Sequence, residues 1–178
     1  MADTRLTHRL ATLRDCTALE VVMKASIEQL QSAFLTPEQI EASWFFMGID
    51  TQLIKDKSYF VIESEGRIAG CGGWSYRATL YGGDNAPGRS PDRLAPHKDA
   101  AKIRAMYTHP DFARRGVGKL IIKLCEDAAR KAGFKRAEMM ATLAGEPLYR
   151  ACGYEAIEQY IETRGRVPVP LIKMGKDL

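Results

Sequence analysis

The stretch Arg114-Arg115-Gly116-Val117-Gly118-Lys119 separates a segment typical of a strand from one typical of a helix. Upstream, Ala100 to His109 is rich in apolar residues and is followed by Pro110, which predicts a strand that ends there. Downstream, Gly133 is placed to cap the end of an amphipathic helix. Its apolar residues recur at the spacing of one helix face: Val117, Leu120, Ile121, Leu124, Cys125, Ala128, Ala129 and Ala132.

A strand, a basic glycine-containing turn and a helix that begins at the glycines form an arrangement suited to phosphate. The unpaired N–H groups of the first helical turn point at a bound anion, and the helix dipole adds to the attraction. Gly116 and Gly118 lack Cβ, so we expect the backbone there to approach a ligand closely.

The sequence of this loop does not match either of two familiar phosphate-binding motifs. A Walker A loop needs a glycine where the chain has Ala113, and Ser or Thr where it has Leu120. A dinucleotide-binding GxGxxG motif starting at Gly116 needs its third glycine where the chain has Ile121. A shorter pattern, x-R-R-G-x-G, remains.

That pattern, Ala113 to Gly118, resembles the pyrophosphate-binding loop of the GNAT family of N-acetyltransferases, written Gln/Arg-x-x-Gly-x-Gly/Ala; Ala113 departs from the usual first residue. Ile103 to Pro110 is similar to the family's fourth strand, and Leu148 to Tyr154 to its later Tyr-x-x-x-Gly-Phe/Tyr signature. The spacing between the two motifs fits one helix and one strand, Ala137 to Leu143. The resemblance implies an α/β fold with a mixed, mostly antiparallel central sheet flanked by helices on both faces. The length of the chain fits a single domain, residues 1–178.

The resemblance also implies acetyl-CoA as the acyl donor. In the family the fourth strand separates from the next one and offers main-chain groups to the pantetheine arm. Here these belong to Met106, Tyr107 and Thr108, and an N–H near Met106 is expected to polarise the thioester carbonyl. Thr142 stands where the family often carries a cofactor-binding asparagine. The pyrophosphate is expected to bind Arg114, Arg115, Gly116, Val117, Gly118 and Lys119.

Tyr149 matches the family's tyrosine that protonates the departing thiolate. Proton transfer from the phenol to the thiolate is only mildly uphill in solution, since the pKa of a thiol is ~8.5 and that of a phenol is ~10. The general base stays open: Ala100 to His109 holds no carboxylate. Asp99, His97 and Glu63 are each better explained as solvated or capping residues, and His109 as a turn residue. Cys152 has no histidine near it in sequence, so direct attack is expected rather than a covalent intermediate.

The preceding part of the chain predicts a hairpin. Ser58 to Glu63 and Arg67 to Tyr76 are its strands. Gly70, Gly72 and Gly73 in the second strand indicate either a surface where a ligand comes close or small-residue packing.

A break in periodicity follows from Arg77 to Asp99, and the resemblance places this long loop beside the acceptor pocket.

Thr36 starts a predicted capping box with Gln39. The aromatic run Trp44-Phe45-Phe46 is either helical core or a lip of the acceptor pocket.

The two ends of the chain supply further strands. Arg9 to Arg14 is the first, with Asp15 placed to cap a helix. Glu155 to Glu162 and Val167 to Met174 are the last two. The resemblance to the GNAT family implies a homodimer in which the final strand pairs across subunits.

Composition narrows the class of protein. The chain has 178 residues, 46% hydrophobic and 27% charged, with a net charge of +4, which suits an anionic cofactor but does not predict nucleic-acid binding. No apolar run or leader predicts membrane insertion or secretion, and the four scattered cysteines predict neither disulfides nor a metal site. We therefore expect a cytoplasmic location.

The sequence thus favours an N-acetyltransferase that transfers acetyl from acetyl-CoA to a primary amine of a small molecule or protein. Two alternatives stay open: a non-catalytic acyl-CoA-binding sensor on the same fold, and a nucleotide- or nucleic-acid-binding module that uses the same basic loop. The Tyr149 signature and the missing Walker residues count against the second.

Overall fold

Within residues 5–178, which a computed structural model describes, seven strands form one sheet. They are β1 (Thr7–Leu10), β2 (Tyr59–Ser64), β3 (Arg67–Ser75), β4 (Ala101–Thr108), β5 (Arg136–Thr142), β6 (Glu155–Glu162) and β7 (Val169–Asp177). Their order in the sheet is β1-β2-β3-β4-β5-β7-β6. Every neighbouring pair is antiparallel except β4 and β5, which run parallel. The predicted mixed, mostly antiparallel sheet is confirmed.

Helices cover both faces of this sheet, as predicted. They are α1 (Cys16–Ala25), α2 (Pro37–Ser43), α3 (Thr51–Lys55), α4 (Val117–Lys131) and α5 (Glu146–Ala151). A π-helical turn, Ser26–Leu30, continues α1 directly, and two 3-10 turns lie at Leu13–Asp15 and Pro110–Phe112. On one face α4 packs with Ile103 and Met139 in the largest hydrophobic cluster. On the other face α1 packs with Val61 and Cys71.

The glycines of β3 allow α4 to lie close to the sheet. A Cβ on Gly70 would stand 2.5 Å from Cγ1 of Val117, and one on Gly72 would stand 2.6 Å from Cγ2 of Ile121. Gly73 faces the main chain of β2 in the same way. The structure therefore supports small-residue packing, the second of the two explanations for these glycines.

The N-terminal elements differ in detail from the prediction. β1 ends at Leu10, because Asp15 accepts the N–H of Thr12 at 2.7 Å and closes a 3-10 turn there. Asp15 also pairs with Arg9 at 2.9 Å, so its carboxylate does not cap α1. The short helix α3 was not predicted. The capping box at the start of α2 is confirmed.

The expected pairing of the last strand across subunits is wrong. β7 is hydrogen-bonded to β5 on one side and to β6 on the other, so both of its edges are occupied. The edge strand at this end of the sheet is β6.

Among the described residues no helix is long and apolar enough to cross a membrane. The four cysteines are free thiols.

Candidate active site

The site begins where β4 and β5 separate. They pair only at Ala101 with Ala137 and at Lys102 with Glu138. Beyond Lys102 the strands diverge. On its other side β4 stays paired with β3, with a register shift opposite Ala105, a non-glycine residue at φ 51°. A cleft therefore opens along β4, with main-chain N–H and C=O groups facing it.

A cavity of about 690 Å³ fills this cleft and extends beyond its closed end. All but one of the residues predicted to bind cofactor or to act in catalysis line it. These are Met106, Tyr107, Thr108, Arg114, Gly116, Val117, Gly118, Lys119, Thr142 and Tyr149. The structure thus brings residues from β4, α4, β5 and α5 to one wall.

Arg115 is the exception. Its guanidinium lies over the ring of Phe112, 5.4 Å from the centroid, and 3.8 Å from the carboxylate of Glu65. It is not among the lining residues, because the chain turns it to the outer side of the loop. The cavity wall instead contains its neighbour Arg114.

The loop before α4 has the backbone shape of an anion site. Arg114 (φ 65°) and Gly116 (φ 86°) both adopt left-handed conformations, and Gly116 immediately precedes the first turn of α4. Nothing lies within 4 Å of where a Cβ on Gly116 would be. Successive N–H groups in such a turn form a concave surface for an anion, and the terminus of α4 adds its dipole. A ligand can therefore approach the main chain at Gly116.

Gly118 has a packing role that we did not expect. A Cβ at Gly118 would collide with a δ-methyl group of Leu148. The missing side chain thus lets α5 pack on the first turn of α4, which draws Tyr149 toward the loop. The missing Cβ of Gly118 thus serves helix packing, and Gly118 also lines the cavity, so the predicted binding of a ligand at its backbone stays a prediction.

Tyr149 lies in the wall between the two helices. A Cβ on Gly145 would be only 2.7 Å from its Cε2, so the glycine leaves room for the ring. The ring of Tyr149 also packs against the ring of Tyr154, with 6.4 Å between the two ring centroids. Burial raises the pKa of Tyr149, with a smaller contribution from Cys152, so the hydroxyl is protonated at neutral pH, although the same shift makes it a weaker acid than a free phenol.

Thr142 fixes the turn that leads into α5. Its Oγ1 accepts the N–H of Gly145 at 3.1 Å, at the end of β5. Thr142 therefore positions the helix that carries Tyr149, and its hydroxyl proton remains available to the cavity that it lines.

Among the described residues, no carboxylate and no imidazole lines the cavity. The open alternatives for a base have other contacts. Glu63 pairs with Arg9 at 3.1 Å, and Asp99 accepts a main-chain N–H in its own loop at 2.7 Å. His97 is exposed, and Nδ1 of His109 accepts a main-chain N–H in the turn after β4. The structure brings none of them to the cleft.

Beyond the closed end of the cleft, the cavity has an apolar wall that the sequence did not reveal. Of the aromatic run, Phe46 is 5% exposed and lines the cavity, whereas Trp44 and Phe45 are each 39% exposed and lie outside it. Four residues of the long loop also reach the cavity, as its predicted position beside the acceptor pocket suggests. The wall is made by Ile27, Leu30, Phe34, Phe46, Met47, Leu80, Tyr81, Gly82, Gly83, Met140 and Leu171.

The long loop is anchored to the hairpin of β6 and β7. The Tyr81 hydroxyl donates to Glu162 at 2.5 Å, and Arg164 donates to the Tyr81 oxygen at 3.0 Å. Glu162 is 1% exposed, and hydrogen bonds from Arg164 and Tyr81 lower its pKa to about 2. Burial raises the pKa of Tyr81. This buried cluster holds the Tyr81 ring against the cavity.

Arg104 contributes positive charge at the point where the cleft closes. It lies two positions after Lys102, is 5% exposed, and lines the cavity. Its guanidinium pairs with Asp50 at 2.6 Å and donates to the Gly82 carbonyl at 2.5 Å. Arg89 pairs with the same Asp50 at 2.9 Å. Burial lowers the pKa of Arg104.

Comparison with known proteins gives a family for this chain. The sequence model of the acetyltransferase (GNAT) family matches residues 20–154. Searched against the curated proteins, the chain has no significant match.

Solved structures share the fold. A GCN5-related N-acetyltransferase from Rhodopseudomonas palustris is 20% identical, with a TM-score of 0.72 over 100% of this chain and 99% of that one. The paiA N-acetyltransferase from Thermoplasma acidophilum, in complex with coenzyme A, is 14% identical, with a TM-score of 0.65 over 98% and 99%. YncA from Salmonella typhimurium, with its cofactor acetyl-CoA, is 17% identical, with a TM-score of 0.65 over 98% and 95%.

Proposed function

The chain belongs to the acetyltransferase (GNAT) family, and we propose that it is an acetyl-CoA-dependent N-acetyltransferase acting on a primary amine. One observation carries the proposal: the cleft between β4 and β5 leads from the anion-binding turn before α4 to the hydroxyl of Tyr149. We further propose that residues 1–178 act as one catalytic domain. The predicted cytoplasmic location stays a prediction.

The residues of the cleft fit the parts of acetyl-CoA. The turn at Gly116 has open space for the pyrophosphate, and Arg114 and Lys119 supply positive charge there. The free edge of β4 at Met106 to Thr108 can pair with the amide groups of the pantetheine arm in the manner of an added strand. The thioester then lies near the closed end of the cleft, between β4 and Tyr149.

The main chain and Tyr149 divide the chemistry between them. An N–H near Met106 donates to the carbonyl oxygen as negative charge develops on it. The amine nitrogen bonds to the carbonyl carbon, the carbon–sulfur bond breaks, and Tyr149 gives its proton to the thiolate. The amine releases its proton to water, from which Tyr149 is protonated again.

The positive charge of the cavity compensates for the missing base. Arg114 and Lys119 face the pyrophosphate, but a cation that lies near Arg104 is disfavoured, which lowers the pKa of a bound ammonium group. A larger fraction of the amine is then neutral and able to attack. Solvent can take the proton without a dedicated carboxylate.

Release of the coenzyme A thiol from acetyl-CoA, measured across a panel of amines, tests the proposal. Tyr149→Phe should lower kcat by about 10²–10⁴-fold, the usual contribution of a general acid. Tyr154→Phe is the matched control, because its ring packs against Tyr149 but does not line the cavity. Equal activity in both variants would remove Tyr149 from the mechanism.

A non-catalytic acyl-CoA sensor is the second candidate. The absence of carboxylates and imidazoles from the described lining favours it. The same assay separates the two functions: a sensor binds acetyl-CoA but releases no thiol with any amine.

A further inference from the structure

The cavity is poorly suited to a polycationic acceptor. Its charged lining residues in the described chain are Arg104, Arg114 and Lys119, and none is acidic. A polyamine or an aminoglycoside brings several positive charges, each of which needs a negative partner once it leaves water. This wall offers none, so the acceptor has at most the one amino group that reacts.

Arg104 adds a requirement for negative charge. Asp50 is fully buried and is shared between Arg104 and Arg89, so one carboxylate contacts two guanidinium groups. The Nε of Arg104 is buried and has no hydrogen-bond partner among the described residues. Asp84, in the loop that carries Arg89, also acts on Arg104 through its charge, but it accepts the N–H of Thr51 and does not line the cavity. Buried cations are normally fully paired, so an anionic group of a ligand would complete this site.

Arg104 also lies at the right end of the cleft to contact an acceptor. It is two positions beyond Lys102, where β4 and β5 part, whereas the anion-binding turn is at the open end. An acceptor amine that reaches the thioester from the apolar side therefore passes Arg104. Ile27, Leu30, Phe34 and Phe46 line the same cavity as Arg104.

These three features together describe one chemical class. We propose that the acceptor is an apolar α-amino acid, whose carboxylate binds Arg104 and whose side chain lies on the apolar wall. The inference rests on the proposed N-acetyltransferase activity and names its substrate class. The guanidinium of Arg104 also compensates the negative charge of the carboxylate, which would otherwise keep the neighbouring amine protonated.

Calorimetric binding in the presence of coenzyme A tests the inference without turnover. The ligands are phenylalanine, leucine and methionine, the amines that each would give on loss of its carboxylate, and spermidine. We expect the amino acids to bind about 10-fold to 100-fold more tightly than their decarboxylated amines, as charge-assisted hydrogen bonds predict. Equal or tighter binding of the amines or of spermidine, or no binding of any amino acid, overturns the inference.

Two variants separate recognition from a structural role. Arg104→Met should abolish the preference for the carboxylate without weakening the binding of 2-phenylethylamine, whereas a purely structural arginine would weaken both ligands together. Arg104→Lys should restore part of the preference. Coenzyme A affinity and thermal unfolding of each variant confirm an intact fold.

The outcome is distinguishable from failure of the proposed function. If amino acids bind with the expected preference but release no thiol from acetyl-CoA, the transferase proposal fails and the carboxylate site stands. If thiol is released only with amines that lack a carboxylate, the transferase stands and this inference fails.

Discussion

The two halves of the cavity are built in different ways. The cofactor half comes mainly from one continuous stretch, Met106 to Lys119, and it presents main-chain groups and a helix terminus. The acceptor half is assembled from side chains as distant in sequence as Ile27 and Leu171. Main-chain binding needs glycines and a helix start at fixed positions, so it leaves a pattern in the sequence. A side-chain pocket leaves none, because any apolar residue of suitable size can line it.

Charge reversal in the loop gives the largest effect expected on the cofactor half. Arg114→Glu should weaken coenzyme A binding by about 10-fold to 100-fold, because Arg114 lines the cavity and a charge-assisted contact is lost. Arg115→Glu, with the same change in net charge, should weaken it by less than about 5-fold, since that side chain is on the outer side and screened. Isothermal titration of coenzyme A measures both. Equal losses would show that the loop acts only through its overall charge.

A change at Glu162 should affect only the acceptor half. Glu162→Gln removes the buried charge that holds Tyr81 and Arg164, and should lower the free energy of unfolding by about 1.5–3 kcal/mol. The KM for the acceptor should rise while the affinity for coenzyme A stays unchanged. A matching loss of coenzyme A affinity would contradict the separation of the two halves.

The same variant has a defined pH dependence. The pKa of Glu162 falls from an ordinary 4.5 to about 2 on folding, so its contribution to stability is fully present above pH 4.5. It is lost as the pH falls toward 2. Denaturant unfolding of wild type and Glu162→Gln should therefore differ at neutral pH and converge in acid. A difference that grows in acid would have the wrong sign.

The smallest effect concerns a single backbone conformation. Gly116→Ala should cost about 1 kcal/mol of stability, because Gly116 has a left-handed φ of 86°. Gly66→Ala is the matched control, with φ 72° and equally open space in the β2–β3 turn. Both variants should lose similar stability, but only Gly116→Ala should bind coenzyme A more weakly, by a few-fold. Loss of affinity in both would assign the effect to general instability.

Patterns of local origin made much of the fold predictable. The amphipathic period of α4, the hairpin of β2 and β3 and the capping box of α2 each follow from neighbouring residues. The position of β7 between β5 and β6 depends on long-range pairing, which no local pattern encodes. The dimer contact predicted for that strand failed for this reason.

Local patterns also left contacts between distant parts of the site unpredicted. The sequence predicted a site with Tyr149 and Gly116, and both residues line the cavity, but it could not show that Gly118 accommodates Leu148 or that Arg115 turns outward. Those facts depend on contacts between elements. Arg104 was missed because its partners lie in two separate loops.

A crystal structure of the protein with bound coenzyme A tests the central claim most directly. We expect the pyrophosphate at the main-chain N–H groups from Gly116 to Lys119 and the pantetheine arm along Met106 to Thr108, with its sulfur beside Tyr149. Coenzyme A bound outside the cleft between β4 and β5, or its sulfur far from Tyr149, would contradict the account.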